Sequence, residues 1–272
     1  LQDAPPTLTL DSPADKSSFY STLVYFNFTA SDDKNLSNAT LYFRTKKIIK
    51  TLYFRDNGAW INKTEDTQLD EDNPSLNYGS ATSLTIDGQN PHTHVVIKFP
   101  NIFGSGKDQI PYGAKILSAN LTLNVFNPGN DMRVYRLKED WNESEATWNN
   151  KNSTQSWLTP GADIPGSADS NYYETFSGAT GVNVYDITKF VQDWSDGLPN
   201  YGIVLTDTGN NGVDFYSSEA AFSDRPLLAV TFEYEEIPWH ANQTKEISGK
   251  QNSTIFKVNL SDEKEYEWNC LV

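Results

Sequence analysis

Apolar and polar residues alternate along this chain in short runs, separated by clusters of Gly, Pro, Asn and Asp. The runs lie at 22–30, 39–45, 51–55, 93–99, 115–126, 131–137, 201–207, 212–218, 226–234, 254–260 and 265–271. A period of two places successive side chains on opposite faces of a strand. In 22–30 the apolar face is Val24, Phe26 and Phe28, and in 115–126 it is Leu117, Ala119, Leu121, Leu123 and Val125. One stretch keeps a helical period instead. Ile187, Phe190, Val191 and Trp194 follow i, i+3, i+4, i+7, with Asp186 placed to cap the start and Gly197 to end it. The pattern therefore predicts an all-β protein carrying one short helix that lies against a sheet.

The two ends differ from the middle. Residues 5–49 hold about three strands after a proline pair, and 237–272 hold about three more. Neither half buries a sandwich core alone, so together they are expected to form one split domain, 1–50 plus 236–272, with 51–235 inserted into one of its loops.

Composition narrows the function. Of the 272 residues, 21 are Lys or Arg and 36 are Asp or Glu, a net charge of −15. The one tight basic run is 44–50, which is unsuited to neutralising a phosphate backbone, so nucleic acid is not an expected partner. Apolar stretches such as 227–230 fall far short of a membrane-spanning helix. The opening LQDAPP lacks the charged and apolar regions of a signal peptide and reads as a processed or trimmed end. The single cysteine, Cys270, cannot close an internal disulfide, and in its strand pattern it reads as a small core residue.

Ten Asn-x-Ser/Thr sequons occur, at Asn27, Asn35, Asn38, Asn62, Asn120, Asn142, Asn152, Asn242, Asn252 and Asn259. Random composition supplies on the order of three. Asn27, Asn120 and Asn259 sit opposite the apolar face of their strands. This predicts an extracellular, cell-surface chain bearing N-linked glycans.

The middle of the chain resembles the secreted DNRLRE (disaggregatase-related) modules, a carbohydrate-binding-module-like jelly-roll family. The resemblance runs through TEDTQLDEDNPSLNYGSATSL at 64–84, VVIKFP at 95–100, IPYGAKILSANLTL at 110–123 and VYRLKEDWNESEATWNN at 134–150. It continues in WLTPGAD at 157–163, VYDITKFVQDWSDGLPNYGIVLTD at 184–207, FYSSEA and RPLLAVTFEY. It implies a β-jelly roll, secretion and, in some members, polysaccharide recognition without catalysis. The flanks resemble Ig-like domains of archaeal and bacterial surface proteins, through PPTLTLDSPADKS, VYFNFTASDDKNLSNATLY and the segment from Trp239 to the end. The combined expectation is an Ig-like β-sandwich with an inserted jelly roll. Relatives of the flanking kind commonly pair a cysteine at the position of Cys270 with one in an early strand, where this chain has Phe28 or Ala39. They also continue past the position of Val272 into a final edge strand. An edge left unpaired invites a strand from another copy, with PPTLTLDSP as the expected donor.

Candidate chemistry is sparse. His92 and His94 share a strand face and could form two corners of a metal site, but His240 is remote in sequence, and an exposed HTH stretch is the plainer expectation. Glu143 and Glu145 in WNESEATW are the local candidates for paired-carboxylate glycoside hydrolysis, with Trp141 and Trp148 as packing residues around them. A structural Ca²⁺ is sought first at Asp66, Asp70, Glu71 and Asp72. Trp157, Tyr172 and Tyr173, in the long polar segment 149–182, are candidates for a sugar-stacking platform, or for contacts with the chain's own glycans or a neighbouring subunit. No other cofactor is expected. The leading expectation is a non-enzymatic, glycosylated subunit of a filament or surface layer, partnered by copies of itself. The alternative is a polysaccharide-binding module or adhesin, and an active hydrolase stands third.

Overall fold

The computed structural model describes residues 4–14, 17–19, 21–89, 91–162, 172–207, 209–235, 237–260 and 265–272, apart from the side chains of Trp60 and residues 172–174. The chain forms two compact units, Leu1–Ile48 with Glu235–Val272, and Ile49–Tyr234. In chain order the first strands are β1 (Thr7–Ser12), β2 (Leu23–Ser31), β3 (Asn38–Thr45), β4 (Ile48–Phe54), β5 (Glu65–Asp70), β6 (Ser83–Ile86) and β7 (Thr93–Lys98). Next come β8 (Lys115–Asn127), β9 (Met132–Arg136), the short pair β10 (Asn150–Asn152) and β11 (Gln155–Ser156), β12 (Tyr172–Phe176) and β13 (Gly181–Asp186). After helix α1 (Thr188–Ser195) follow β14 (Ile203–Asp207), β15 (Val213–Tyr216), β16 (Leu227–Tyr234), β17 (His240–Glu246), β18 (Gln251–Asn259) and β19 (Tyr266–Leu271). The fold is all-β with one short helix, as the hydrophobic pattern predicts.

The unit built from the two ends is a pair of three-stranded antiparallel sheets, ordered β1-β2-β18 and β17-β3-β19. Alternate residues of β2 (Val24, Phe26, Phe28) meet Ala39, Leu41 and Phe43 of β3, with Phe256, Val258 and Cys270 completing one core. Phe28 stacks on Phe256 at 5.9 Å, and Phe26 meets Trp268 edge-on at 5.1 Å. Cys270 is a buried free thiol, pushed up to about 11 by burial, and it packs with Phe28 and Ala39 in this core. Thr7–Ser12, the expected donor strand, pairs with β2 of its own chain, Thr7 opposite Ser31.

The second unit is an antiparallel sandwich. Its five-stranded sheet runs β12-β9-β14-β7-β5, and the facing sheet runs β4-β16-β8-β15-β6 with β13 also paired to β8. Ala119, Leu121, Leu123 and Val125 of β8 point into the core, opposite Val95 and Ile97 of β7 and Ile203 and Leu205 of β14. Leu117, expected in that buried set, is exposed, and Ile116 is buried in its place. A register shift explains the swap, because Thr231 pairs with Ser118 while the next residue, Phe232, pairs with Ile116. This bulge leaves Leu117 as the extra residue. Helix α1 lies against β8 as its pattern predicts. Asp186 accepts from Thr188 N at 2.8 Å, Phe190, Val191 and Trp194 are buried, and Gly197 ends the helix at a φ of +106°. The side chains of Thr188 and Gln192 accept from the amides of Ala119 and Ile116 in β8.

Candidate functional site

Strands β7 and β14 are buried along their whole length. Their second face is covered because the segment 138–162 folds back over the outside of the five-stranded sheet. Trp141, Ala146, Trp157 and Ala162 of that segment pack on Leu69, Val96, Tyr135 and Val204, forming a core separate from that of the sandwich. Both of these indoles have their N–H satisfied: Trp141 Nε1 donates to Tyr201 O and Trp157 Nε1 to Thr147 O, both at 2.9 Å. The expectation of Trp157 as an exposed sugar platform is therefore corrected. It is 4 % exposed and is a structural element of the roof. The backbone of Tyr172 pairs with Tyr135, while the side chains of Tyr172 and Tyr173 lie outside the described residues.

His94 belongs to the same roof rather than to an exposed HTH stretch. Its Nδ1–H donates to Gly161 O at 2.9 Å, and its ring lies 4.9 Å from that of Trp148. Burial pulls the imidazole down from 6.5 to about 4. A neutral His94 thus contributes stability that is fully present above about pH 6.5 and is lost as the pH falls to about 4, on the order of 3 kcal/mol. In urea titrations, the stability difference between wild type and His94→Gln is expected to shrink by about that amount between pH 7 and pH 4. A difference independent of pH would contradict a neutral, buried His94.

On the roof lies an open groove of about 610 Å³. Tyr201 contributes aromatic surface over the buried Trp141, and the walls carry Lys138, Glu139, Asp140, Asn142, Glu145, Lys151, Asn152, Ser153, Thr154 and Gln155. Its geometry is held from below. The buried Lys98 ammonium binds Glu65 of β5 at 2.8 Å and reaches both Asp140 Oδ1 and Trp141 O at 3.1 Å. Lys151 pairs with Glu139, whose other oxygen accepts from Leu158 N, and Glu145 accepts from Ser153 N. Asn142 and Asn152 fix their own turns by accepting from the amide and hydroxyl of Ser144 and of Thr154 respectively. The arrangement offers a wet, hydrogen-bonding channel on a rigid base. It suits a polyhydroxylated ligand better than an apolar one.

A family model for carbohydrate-binding module family 96 matches residues 57–232, more than half of the chain. The chain belongs to that family. Every residue lining the groove falls inside the segment matched to family 96. A search of curated proteins finds no match.

The family 96 segment also holds a group of three carboxylates. Asp66 of β5, Glu143 of the roof and Glu219 of the turn after β15 bring carboxylate oxygens within 4.8 Å of one another. Asp66 is fully buried, which together with the charge of Glu219 pushes its carboxyl well above the usual range. Burial, and then Glu219, raise Glu143 to about 7. The Ca²⁺ expectation at Asp66, Asp70 and Asp72 is corrected in its membership. Asp70 is satisfied by Asp72 N, Asn73 Nδ2 and Tyr78 OH, and Asp72 is an exposed turn residue, so only Asp66 joins the cluster. Glu143 and Glu145 diverge as well, because Glu143 turns to Asp66 while Glu145 lines the groove. This does not fit a hydrolytic pair, whose carboxylates must flank one sugar linkage.

Among the sequon residues, Asn35, Asn38, Asn142, Asn242 and Asn259 are exposed, and Asn27, Asn62, Asn120, Asn152 and Asn252 are half-buried. Among the described residues no helix is long and apolar enough to cross a membrane.

Proposed function

We propose that the unit Ile49–Tyr234 is a polysaccharide-binding module and that the ligand lies in the groove above Trp141. The observation that carries this reading is the coincidence of the groove with the family 96 segment. Binding there would rest on hydrogen bonds from Lys138, Gln155 and the neighbouring amides and hydroxyls, made against the aromatic surface of Tyr201. The carbohydrate-binding alternative thus has more support than the filament-subunit expectation, because the family match concerns carbohydrate binding.

The further parts of the reading are that the module is a DNRLRE-like jelly roll, that the end-built unit is Ig-like, and that the chain works extracellularly with glycans on its sequons. The motif resemblance and the number of sequons support them. The groove is tested by Lys138→Ala combined with Gln155→Ala in the full chain. One lost charge-assisted hydrogen bond and one neutral one are worth roughly 2–4 kcal/mol. The pair is expected to weaken binding to a retained polysaccharide by at least tenfold while urea stability stays unchanged. Unaltered binding would place the ligand elsewhere.

A further inference from the structure

We propose that Asp66, Glu143 and Glu219 together bind one Ca²⁺ ion. Each of the three carboxylates is anchored through one oxygen. Asp66 Oδ2 accepts from Ser218 N at 2.8 Å, Glu143 Oε1 from Asp66 N at 2.9 Å, and Glu219 Oε1 from the Ser218 hydroxyl at 3.0 Å. That leaves the second oxygen of each. Among the described residues Asp66 Oδ1 and Glu219 Oε2 are buried without a hydrogen-bond partner, and Glu143 Oε2 faces Lys63 at 3.9 Å. Lys63 is itself committed to Glu65 at 2.7 Å.

A fully buried aspartate with an unsatisfied oxygen is costly unless a cation completes it. Three formal negative charges face one partly engaged ammonium here. The ligand set selects the ion. Three carboxylates on one site suit Ca²⁺, which takes about six to eight oxygens in flexible geometry, whereas Mg²⁺ dehydrates reluctantly and is usually held by one or two carboxylates with several waters retained. The three carboxylates lie close enough to share one ion, with waters filling the remaining positions.

The ligands are also held in advance. Asn77 Nδ2 donates to the carbonyls of Glu143 and Ala146 at 2.8 and 2.7 Å, and a Cβ on Gly79 would stand 2.2 Å from Glu143 O. The 77–79 turn therefore fixes the backbone that carries Glu143. An ion here would tie three distant parts of the chain: β5, the roof segment and the turn after β15. This inference stands on the cluster alone and does not depend on the groove's ligand.

The test uses the full chain stripped with EDTA, titrated with CaCl₂ or MgCl₂ by calorimetry and followed by thermal unfolding. Ca²⁺ is expected to raise the midpoint of the second unit by several degrees, and Mg²⁺ to bind at least tenfold more weakly. Asp66→Asn and Glu219→Gln should each weaken Ca²⁺ at least tenfold. In EDTA both variants should still unfold cooperatively, which separates a lost Ca²⁺ response from a lost fold. Asp72→Asn, in the exposed turn, should behave as wild type. The proposal is overturned by no Ca²⁺ response at millimolar concentration, by Mg²⁺ binding as tightly as Ca²⁺, or by Ca²⁺ affinity that survives in both cluster variants.

Discussion

Trp157→Ala is expected to destabilise the unit Ile49–Tyr234 by roughly 3–5 kcal/mol, the cost of removing a fully packed large aromatic side chain from a core. The indole is 4 % exposed and packs among Leu69, Val96, Trp141 and Ala162, so its loss leaves a cavity between the roof and the outer face of the sheet. It also strands the Thr147 carbonyl that its N–H satisfies. Trp157→Phe keeps most of the contacts and loses the hydrogen bond, so a smaller loss, about 1–2 kcal/mol plus some packing, is expected. Urea titration followed by circular dichroism measures both. A Trp157→Ala chain as stable as wild type that no longer bound sugar would restore the exposed-platform reading.

Gly202→Ala is the second large effect. Gly202 stands at a φ of +87°, and a Cβ there would lie 2.2 Å from the carbonyl oxygen of Ile97 in the neighbouring strand β7. The left-handed backbone and the collision with main chain add, for an expected loss of roughly 2–5 kcal/mol. The consequence reaches the groove. Gly202 N donates to Asn200 Oδ1, its carbonyl accepts from Leu137 N, and the preceding residue, Tyr201, both lines the groove and accepts from Trp141 Nε1. Gly202→Ala is therefore expected to lower stability and weaken polysaccharide binding together, with urea titration and affinity electrophoresis as the readouts. Full stability in the variant would show that the 200–202 turn relaxes freely.

The strands with clean alternation were readable because one face is apolar and the other is not, as in β2, β8 and β18. Strands β13 and β17 were not. Val182 and Val184 of β13 are 70 % and 60 % exposed, so its apolar residues face outward, and β17 (HANQTKE) has no apolar alternation at all. The bulge that exposes Leu117 depends on strand β16, about a hundred residues away, and leaves no local mark.

The site was harder to read for the same reason. A tryptophan in a polar loop looks alike as sugar platform and as roof. A usable signal lay in the two uninterrupted apolar runs, VVI and GIVL, since a strand buried on both faces needs a second cover, and the Trp141, Trp148 and Trp157 segment was available to provide it. The carboxylate cluster left less trace. Asp66 donates its amide to Glu143, 77 residues on, and accepts from Ser218, 152 residues on, and only the folded chain brings Glu143 and Glu219 to it.

The central claim, that the family 96 unit binds polysaccharide, is tested most directly by native affinity electrophoresis of the full chain through gels containing neutral and acidic polysaccharides, beside a non-binding protein of similar size. The account predicts that at least one polysaccharide retards the chain in proportion to its concentration and that Lys138→Ala with Gln155→Ala removes the retardation. Unretarded migration through every gel would contradict it.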